Sequence, residues 1–321
     1  MNILLVGLGG MGNAHYLNYQ HIPGAAVVAA VGRTDADRQR AAQWGLPLYE
    51  TITTACAQQA VDVVDVCAPT YLHKPLVLEA LGCKKHTITE KPIALHFEDA
   101  QQMYACAEEN GVQLYVAQVL QFTREVETLR QVTADARYGR PLDACFERLS
   151  ACPKWSQGGW LFDKEKSGLL PFDLHIHDLD VIVSVFGRPD DMLYTECRGE
   201  GKTYAEQYRF TYVYRSGLNV SAEAAWFNAA IPFTARWRGY YERGMLVCDA
   251  NGVTGYAEDG EVTHFDVTDP VQVDCGINLG KSGWFLRELT HLLGCAAEGR
   301  PSELVPRERI LDVVELLEQV Q

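Results

Sequence analysis

The chain has no run of apolar residues as long as the roughly 20 needed to cross a bilayer. It is short of positive charge, with 28 Lys and Arg against 42 Asp and Glu and a formal net charge of -14. That balance excludes the broad basic surface that neutralises nucleic-acid phosphates, and the basic amphipathic helix that lies on membranes. Its ten cysteines contain no C-x-x-C pair, so no structural zinc is expected. Several sit in apolar stretches, as Cys67 and Cys248 do, and the set is expected to be reduced and buried in a cytosolic protein. Met1-Asn2 leads straight into Ile3-Leu4-Leu5-Val6, with neither a basic n-region nor a long apolar h-region. No secretory signal is therefore expected, and the location expected is cytoplasmic. Internal repeats and low-complexity tracts are missing too. What is present is a chain of 321 residues, 47% hydrophobic and 22% charged, enough for two ordinary domains.

The first third alternates short apolar runs with helical patterns. Strands are expected at Ile3 to Val6, Val27 to Val31, Val61 to Cys67, His86 to Thr89 and Leu114 to Ala117. Helices are expected at Met11 to Gln20, Asp35 to Trp44, Lys74 to Leu81 and Phe97 to Asn110. Alternation with short connections implies an α/β domain with a parallel, doubly wound sheet over residues 1–118. The pattern then changes. Tyr208, Phe210, Tyr212 and Tyr214 share one side of a strand, and Arg215-Ser216-Gly217 turns into the alternating run Leu218 to Ala224. Further strands are expected over 233–242, 245–249 and 262–267, with helices at Trp284 to Glu298 and Pro306 to Val320. Residues 119–321 thus read as an α+β domain with a large, mostly antiparallel sheet.

Gly7-Leu8-Gly9-Gly10-Met11-Gly12 fits G-x-G-x-x-G between the first strand and the first helix. Gly7 permits a tight turn, Gly9 lets the backbone approach a pyrophosphate, and Gly12 lets the helix pack closely on the strand. The helix N-terminus offers N–H groups and a positive dipole end to phosphates. Where an acidic residue would take the ribose hydroxyls of NAD, the chain has Gly32, Arg33 and Thr34. With no carboxylate there and an arginine able to pair with a 2′-phosphate, NADP is favoured over NAD; Asp35 is near enough to keep NAD open.

Two further segments stand out. Thr89-Glu90-Lys91-Pro92 ends a parallel strand, at the edge where ligands bind in doubly wound sheets. In Pro171-Phe172-Asp173-Leu174-His175-Ile176-His177-Asp178-Leu179-Asp180, helical spacing puts Asp173, His177 and Asp180 on one face. A carboxylate one turn before an imidazole can orient it and raise its basicity; equally, Asp173 can cap the helix and His177 can be a core histidine. His175 and His177 diverge by about 200° on a helix, which argues against both ligating one metal. No metal is assigned.

Together these pieces resemble the Gfo/Idh/MocA oxidoreductase family over nearly the whole chain. The glycine loop matches, as do Val61 to His73, Glu90-Lys91-Pro92 as E-K-P, Asp173 to His177 as D-x-x-x-H with Asp180 as its H-x-x-D extension, and Phe285 to Leu289 followed by Gly299-Arg300-Pro301. The resemblance implies that Lys91 contacts the nicotinamide ribose and the reacting oxygen, that His177 exchanges the proton, and that Asp173 positions the hydroxyl or tunes His177. It implies that Pro69, Thr70, His73 and Glu90 line the cofactor cleft, beside Gly7, Gly9, Gly10, Met11, Gly12, Arg33 and Thr34. The open sheet of the second domain would build a homodimer or homotetramer, which suits the aromatic side of Tyr208 to Tyr214 unless that side packs under the domain's own helices. The sequence departs from the family where His175 stands in place of glycine and Gln121 in place of arginine. His175 either enters the substrate pocket or packs beneath it, and Trp160 is a candidate wall for a sugar ring.

The expected activity is hydride transfer between NAD(P) and a secondary hydroxyl or carbonyl of a sugar, inositol or related polyol, with Lys91 stabilising the alkoxide. The alternatives are an NAD(P)-dependent glycosidase of the same fold and a non-catalytic NAD(P)-binding sensor; a metal hydrolase is more distant.

Overall fold

The computed structural model describes residues 1–277 and 280–320. It divides into two compact units: Met1–Phe122 with Asp269–Val314, and Thr123–Thr268 with the chain from Glu315. The boundary expected at residue 118 therefore marks only the first crossing. Residues 269–314, expected in the second domain, belong to the first unit, because a helix within them completes its core.

The first unit has a six-stranded sheet of β1 (Asn2–Val6), β2 (Ala26–Val31), β3 (Leu48–Tyr49), β4 (Val63–Val66), β5 (His86–Glu90) and β6 (Leu114–Ala117). Every pairing is parallel and the order is β3-β2-β1-β4-β5-β6. Strands covered on both faces read as continuous apolar runs, and β1, β4 and β6 are buried almost throughout. Between them run α1 (Gly10–Tyr19), α2 (Asp35–Trp44), α3 (Ile52–Gln58), α4 (His73–Gly82) and α5 (Phe97–Asn110). The order reverses between β1 and β4, the switch point where such sheets bind ligands. Helix boundaries follow their caps. Thr34 and Asp37 form a capping box at the start of α2, and Gly45 and Gly111 end α2 and α5 in the left-handed conformation.

The second unit is built on α6 (Arg124–Ala134), β7 (Pro141–Ala151), the short α7 (Lys164–Ser167), α8 (Ile176–Phe186), β8 (Asp191–Cys197), β9 (Gln207–Val213), β10 (Asn219–Phe227), β11 (Thr234–Tyr241), β12 (Gly244–Asp249), β13 (Gly252–Ala257) and β14 (Val262–Phe265). Its eight strands run β14-β13-β12-β11-β7-β10-β9-β8, antiparallel except for β7 beside β10. The expected hairpin is β9 and β10, with Val213 opposite Asn219.

Tyr208, Phe210, Tyr212 and Tyr214 are all buried, as are Val220, Ala222 and Ala224. The aromatic side thus packs within the unit and is not a docking face. The opposite face is exposed and laced with ion pairs: Arg236 with Glu147 at 2.7 Å, Arg238 with Asp143 at 2.9 Å and Arg209 with Glu223 at 3.3 Å. The chain then returns through α9 (Trp284–Glu298), whose Leu289, Leu292, Leu293 and Ala296 join the core of the first unit, and ends in α10 (Arg307–Glu318). Among the described residues no helix is long and apolar enough to cross a membrane.

Candidate active site

The glycine loop follows from what a side chain would strike. Gly7 has φ +85°, and a Cβ there would lie 2.8 Å from the Cys67 carbonyl oxygen; a Cβ on Gly12 would lie 2.0 Å from the Gly7 carbonyl oxygen. Both positions therefore need glycine. Gly9 and Gly10, by contrast, are exposed and have nothing within 4 Å of a would-be Cβ. Gly9 is the N-cap of α1 and no side chain caps that helix end, which leaves its N–H groups and dipole available to an anion. Met11 is half-buried beside them. Arg40 on α2 donates to the carbonyls of Leu8 at 2.8 Å and Gly9 at 3.2 Å, bracing the loop. In sequence it reads as one more solvated charge on a helix. A cradle closed to side chains at Gly7 and Gly12 and open at Gly9 and Gly10 fits the pyrophosphate of a dinucleotide.

The end of β2 differs from expectation in one respect. Arg33 and Thr34 are exposed there, but a carboxylate is present after all. Asp37 folds back from the first turn of α2, and its Oδ2 accepts from the backbone of Arg33 at 3.1 Å and Thr34 at 2.9 Å and from the Thr34 hydroxyl at 2.7 Å. A Cβ on Gly32 would collide with this side chain at 2.6 Å. The charge lies five residues after Gly32 in sequence and reaches it only through the capping box.

Beyond β4, Pro69 is half-buried and Thr70 opens a single 3₁₀ turn, Thr70–Leu72, leading into α4. The buried ring of His73 lies 2.8 Å from the Ala68 carbonyl oxygen and 2.7 Å from that of Pro92. It thereby ties the exit of β4 to the turn after β5. Burial pulls its pKa below the ordinary histidine value, against the two carbonyls and the Glu90 charge. In that turn the Lys91–Pro92 peptide is cis, Lys91 is half-buried, and its backbone N–H donates to Glu90 Oε2 at 3.1 Å. Glu90 is buried and lies 3.1 Å from Nε2 of His15 on α1. On its other side His15 meets Asp65 Oδ2 at 2.8 Å, and the Tyr19 hydroxyl donates to the same oxygen at 2.8 Å. His15 and Asp65 were not foreseen. The signal was there in Asp65, a charged residue inside the apolar strand Val63–Val66.

In the second unit, Pro171–His175 is a π-helical turn, closed by the Ile176 N–H on the Pro171 carbonyl, and it runs into α8. Such turns add a residue to the local register and recur at functional sites. Over residues 171–180 every side chain is buried except Asp173 and His177, which are partly accessible. Asp180, expected on the same face, is enclosed. His175 has no exposed surface with which to touch substrate. Its ring stacks on Phe210 at 3.9 Å and 5°, and its Nε2 lies 2.5 Å from the Tyr212 hydroxyl. Of its two expected roles, the structure shows the packing one. Asp178, next to His177 in sequence and itself buried, takes a two-pronged contact from Arg148 on β7, at 3.0 and 2.7 Å. The pair is almost fully enclosed and staples α8 to the sheet. Trp160 is half-exposed and makes an edge contact with the exposed Trp155 at 6.4 Å.

A parallel sheet ordered 3-2-1-4-5-6, with a phosphate-shaped glycine loop at its switch point, defines a dinucleotide-binding Rossmann protein. Residues 1–118 match the family model described as an oxidoreductase family with NAD-binding Rossmann fold, and residues 126–247 match the Gfo/Idh/MocA C-terminal domain. The chain belongs to the Gfo/Idh/MocA oxidoreductase family. It is 34% identical over 131 residues, 41% of its length, to the 2,7-anhydro-N-acetylneuraminate hydratase of Escherichia coli. It is 34% identical over 122 residues, 38% of its length, to the 1,5-anhydro-D-fructose reductase of Ensifer adhaerens. These matches span 35% and 37% of the two relatives' own lengths. Among solved structures, levoglucosan dehydrogenase in complex with NADH and levoglucosan superposes with a TM-score of 0.85 at 18% identity, covering 99% of this chain and 95% of that one.

Proposed function

We propose that the protein is an NAD(P)-dependent oxidoreductase that interconverts a secondary hydroxyl and a carbonyl on a sugar, inositol or related polyol. The observation that carries this reading is the pair Asp173 and His177, left accessible on an otherwise sealed segment of a chain that also holds a dinucleotide cradle. Gly7, Gly9, Gly10, Met11 and Gly12 would hold the pyrophosphate, with Arg33 and Thr34 at the end of β2 and Pro69, Thr70, His73 and Glu90 beyond β4 and β5. A bound nicotinamide supplies the hydride acceptor or donor. His177 takes the hydroxyl proton at its imidazole and returns it in the reductive direction. Asp173 orients that ring or the hydroxyl. The Lys91 ammonium stabilises the negative charge that develops on the oxygen. Trp160 offers an aromatic face to a sugar ring.

The preference for NADP rested on the lack of a carboxylate at the end of β2. The Asp37 carboxylate beside Gly32 supports NAD instead, since it opposes a 2′-phosphate. The exposed sheet face bears Leu193, Val213, Tyr240 and Tyr256 among its ion pairs, which supports a homodimer or homotetramer formed through it.

The test follows reduced nicotinamide by absorbance, with NAD or NADP and a panel of inositols, aldoses and their keto forms. Lys91→Ala and His177→Ala should each lower turnover about 10²- to 10⁴-fold while circular dichroism and melting stay those of the parent. Full activity in either variant refutes the assignment. One relative is named a hydratase, a net reaction without redox change. Substrate consumption is therefore followed in parallel, and consumption without net cofactor change would point to transient oxidation, as in the glycosidase reading.

A further inference from the structure

The proposed reaction gives no role to His15 and Asp65, buried behind the glycine loop. His15, eight residues after Gly7, is fully enclosed. Its Nδ1 lies 2.8 Å from Asp65 Oδ2 and 3.3 Å from Cys67 Sγ, and its Nε2 lies 3.1 Å from Glu90 Oε1 in an ion-pair contact. The groups that face it come from four elements. Asp65 and Cys67 belong to β4 and its exit, Glu90 to β5, and Tyr19 and Asn18 to α1 itself. From α9, Phe285 packs on the ring at 6.0 Å. Cys275, held by Asn18, lies near, and the Glu288 charge of α9 acts on Tyr19.

A neutral imidazole carries one N–H. With carboxylates at both nitrogens, a neutral ring would point its lone pair at one of them; a second proton makes both contacts attractive. We propose that His15 is a resident imidazolium and a positioning residue for the Lys91 turn. Its charge holds Glu90 Oε1, while Oε2 of the same carboxylate accepts the Lys91 backbone N–H at 3.1 Å. A proton on the helix that receives the dinucleotide phosphates thereby fixes the turn that carries the ammonium. Burial opposes a charge on His15, but Asp65 foremost, then Cys67 and the hydrogen bonds to both, outweigh it and lift the pKa well above the ordinary value. His15, Asp65 and Cys67 also bring three atoms able to ligate a metal within 4.8 Å of one another. The separations, however, are those of hydrogen bonds, and Asp65 Oδ2 already accepts from Tyr19.

This inference rests on Lys91 acting on the substrate oxygen, so two of its readouts are independent of turnover. Full-length, cofactor-free protein labelled at histidine nitrogens is titrated by NMR, beside His15→Gln and Glu90→Gln. One ring, absent from His15→Gln, is expected to keep both nitrogens protonated at about pH 8, above the ordinary histidine pKa of about 6.5. Its titration should move to lower pH in Glu90→Gln. The Lys91 amide resonance should shift in both variants. With a substrate from the panel, kcat should fall about 10- to 100-fold in each while KM stays within a few-fold, as expected for a misplaced group. Should His15→Gln fail to fold, Glu90→Gln carries the same readouts. A ring neutral at pH 8, an unmoved Lys91 amide, unchanged kcat, or stoichiometric zinc in the purified protein overturns the proposal. Should no substrate of the panel react, the imidazole and amide signals still decide it.

Discussion

Acidification should destabilise this protein through one histidine that does no chemistry. Burial, assisted by the Arg148 charge, pushes the His175 pKa down to about 3. In the unfolded chain the same ring titrates near 6.5. Between these values the unfolded state binds a proton that the folded state refuses, so the contribution is complete above about pH 6.5 and is lost as pH falls toward 3. Each unit in that window costs about 1.4 kcal/mol, and at about pH 4 His175 alone should remove roughly 3 kcal/mol of the stability present at neutral pH. His175→Phe keeps a flat ring against Phe210 and removes the titration. It also leaves the buried Tyr212 hydroxyl without its 2.5 Å partner, at a cost of about 1–3 kcal/mol that does not vary over this pH range. The variant should therefore be the less stable protein at pH 7 and should match or exceed the parent near pH 4. Urea midpoints read by tryptophan fluorescence at both pH values decide it. Parallel losses in the two proteins would show that His175 is not the proton-refusing group.

Three further outcomes follow from other parts of the molecule. Gly12→Ala places a Cβ 2.0 Å from the Gly7 carbonyl oxygen, so it should abolish dinucleotide binding measured by calorimetry and lower the melting temperature. Asp178→Asn leaves the enclosed Arg148 without its counter-charge and should cost about 3–5 kcal/mol in urea unfolding; Arg148→Met together with Asp178→Leu should recover most of that loss. His15 acts opposite to His175. Its pKa is raised, so its stabilisation is complete below about pH 6.5 and declines as pH rises through the folded value. His15→Gln should flatten the alkaline side of the stability profile.

Helices α5 and α9 were legible to the residue because each combines an amphipathic run with a glycine just past its end, and α2 because a polar helix-forming run stops at Gly45. Periodicity was blind where a strand breaks its own pattern. In β7 the core-facing line Ala144, Phe146, Arg148 includes a charge. That charge hides the alternation until its partner on α8 is known. In β13 the buried position Gly255 faces the Tyr138 ring, where a Cβ would lie 2.2 Å from the hydroxyl; a strand with a glycine at the core reads as a turn. Two-residue β3 and seven-residue α3 are too short to show a period. Motif reading pointed to the glycine loop, Lys91, Asp173 and His177 as candidates, since these depend on local spacing. It passed over Arg40, Asp37 and His15, whose roles come from where a side chain reaches after folding.

The return of residues 269–314 to the first unit has a consequence for synthesis. All six strands of that unit leave the ribosome within the first 117 residues. Leu289, Leu292 and Leu293, which share its core with Tyr115 and Val116, and the Arg300 carbonyl that takes the Tyr115 hydroxyl at 2.7 Å, arrive only near the end of the chain. The nascent parallel sheet therefore waits for these partners while residues 123–268 of the second unit are made. Until α9 is made, the apolar β6 has to be covered by something other than these native partners.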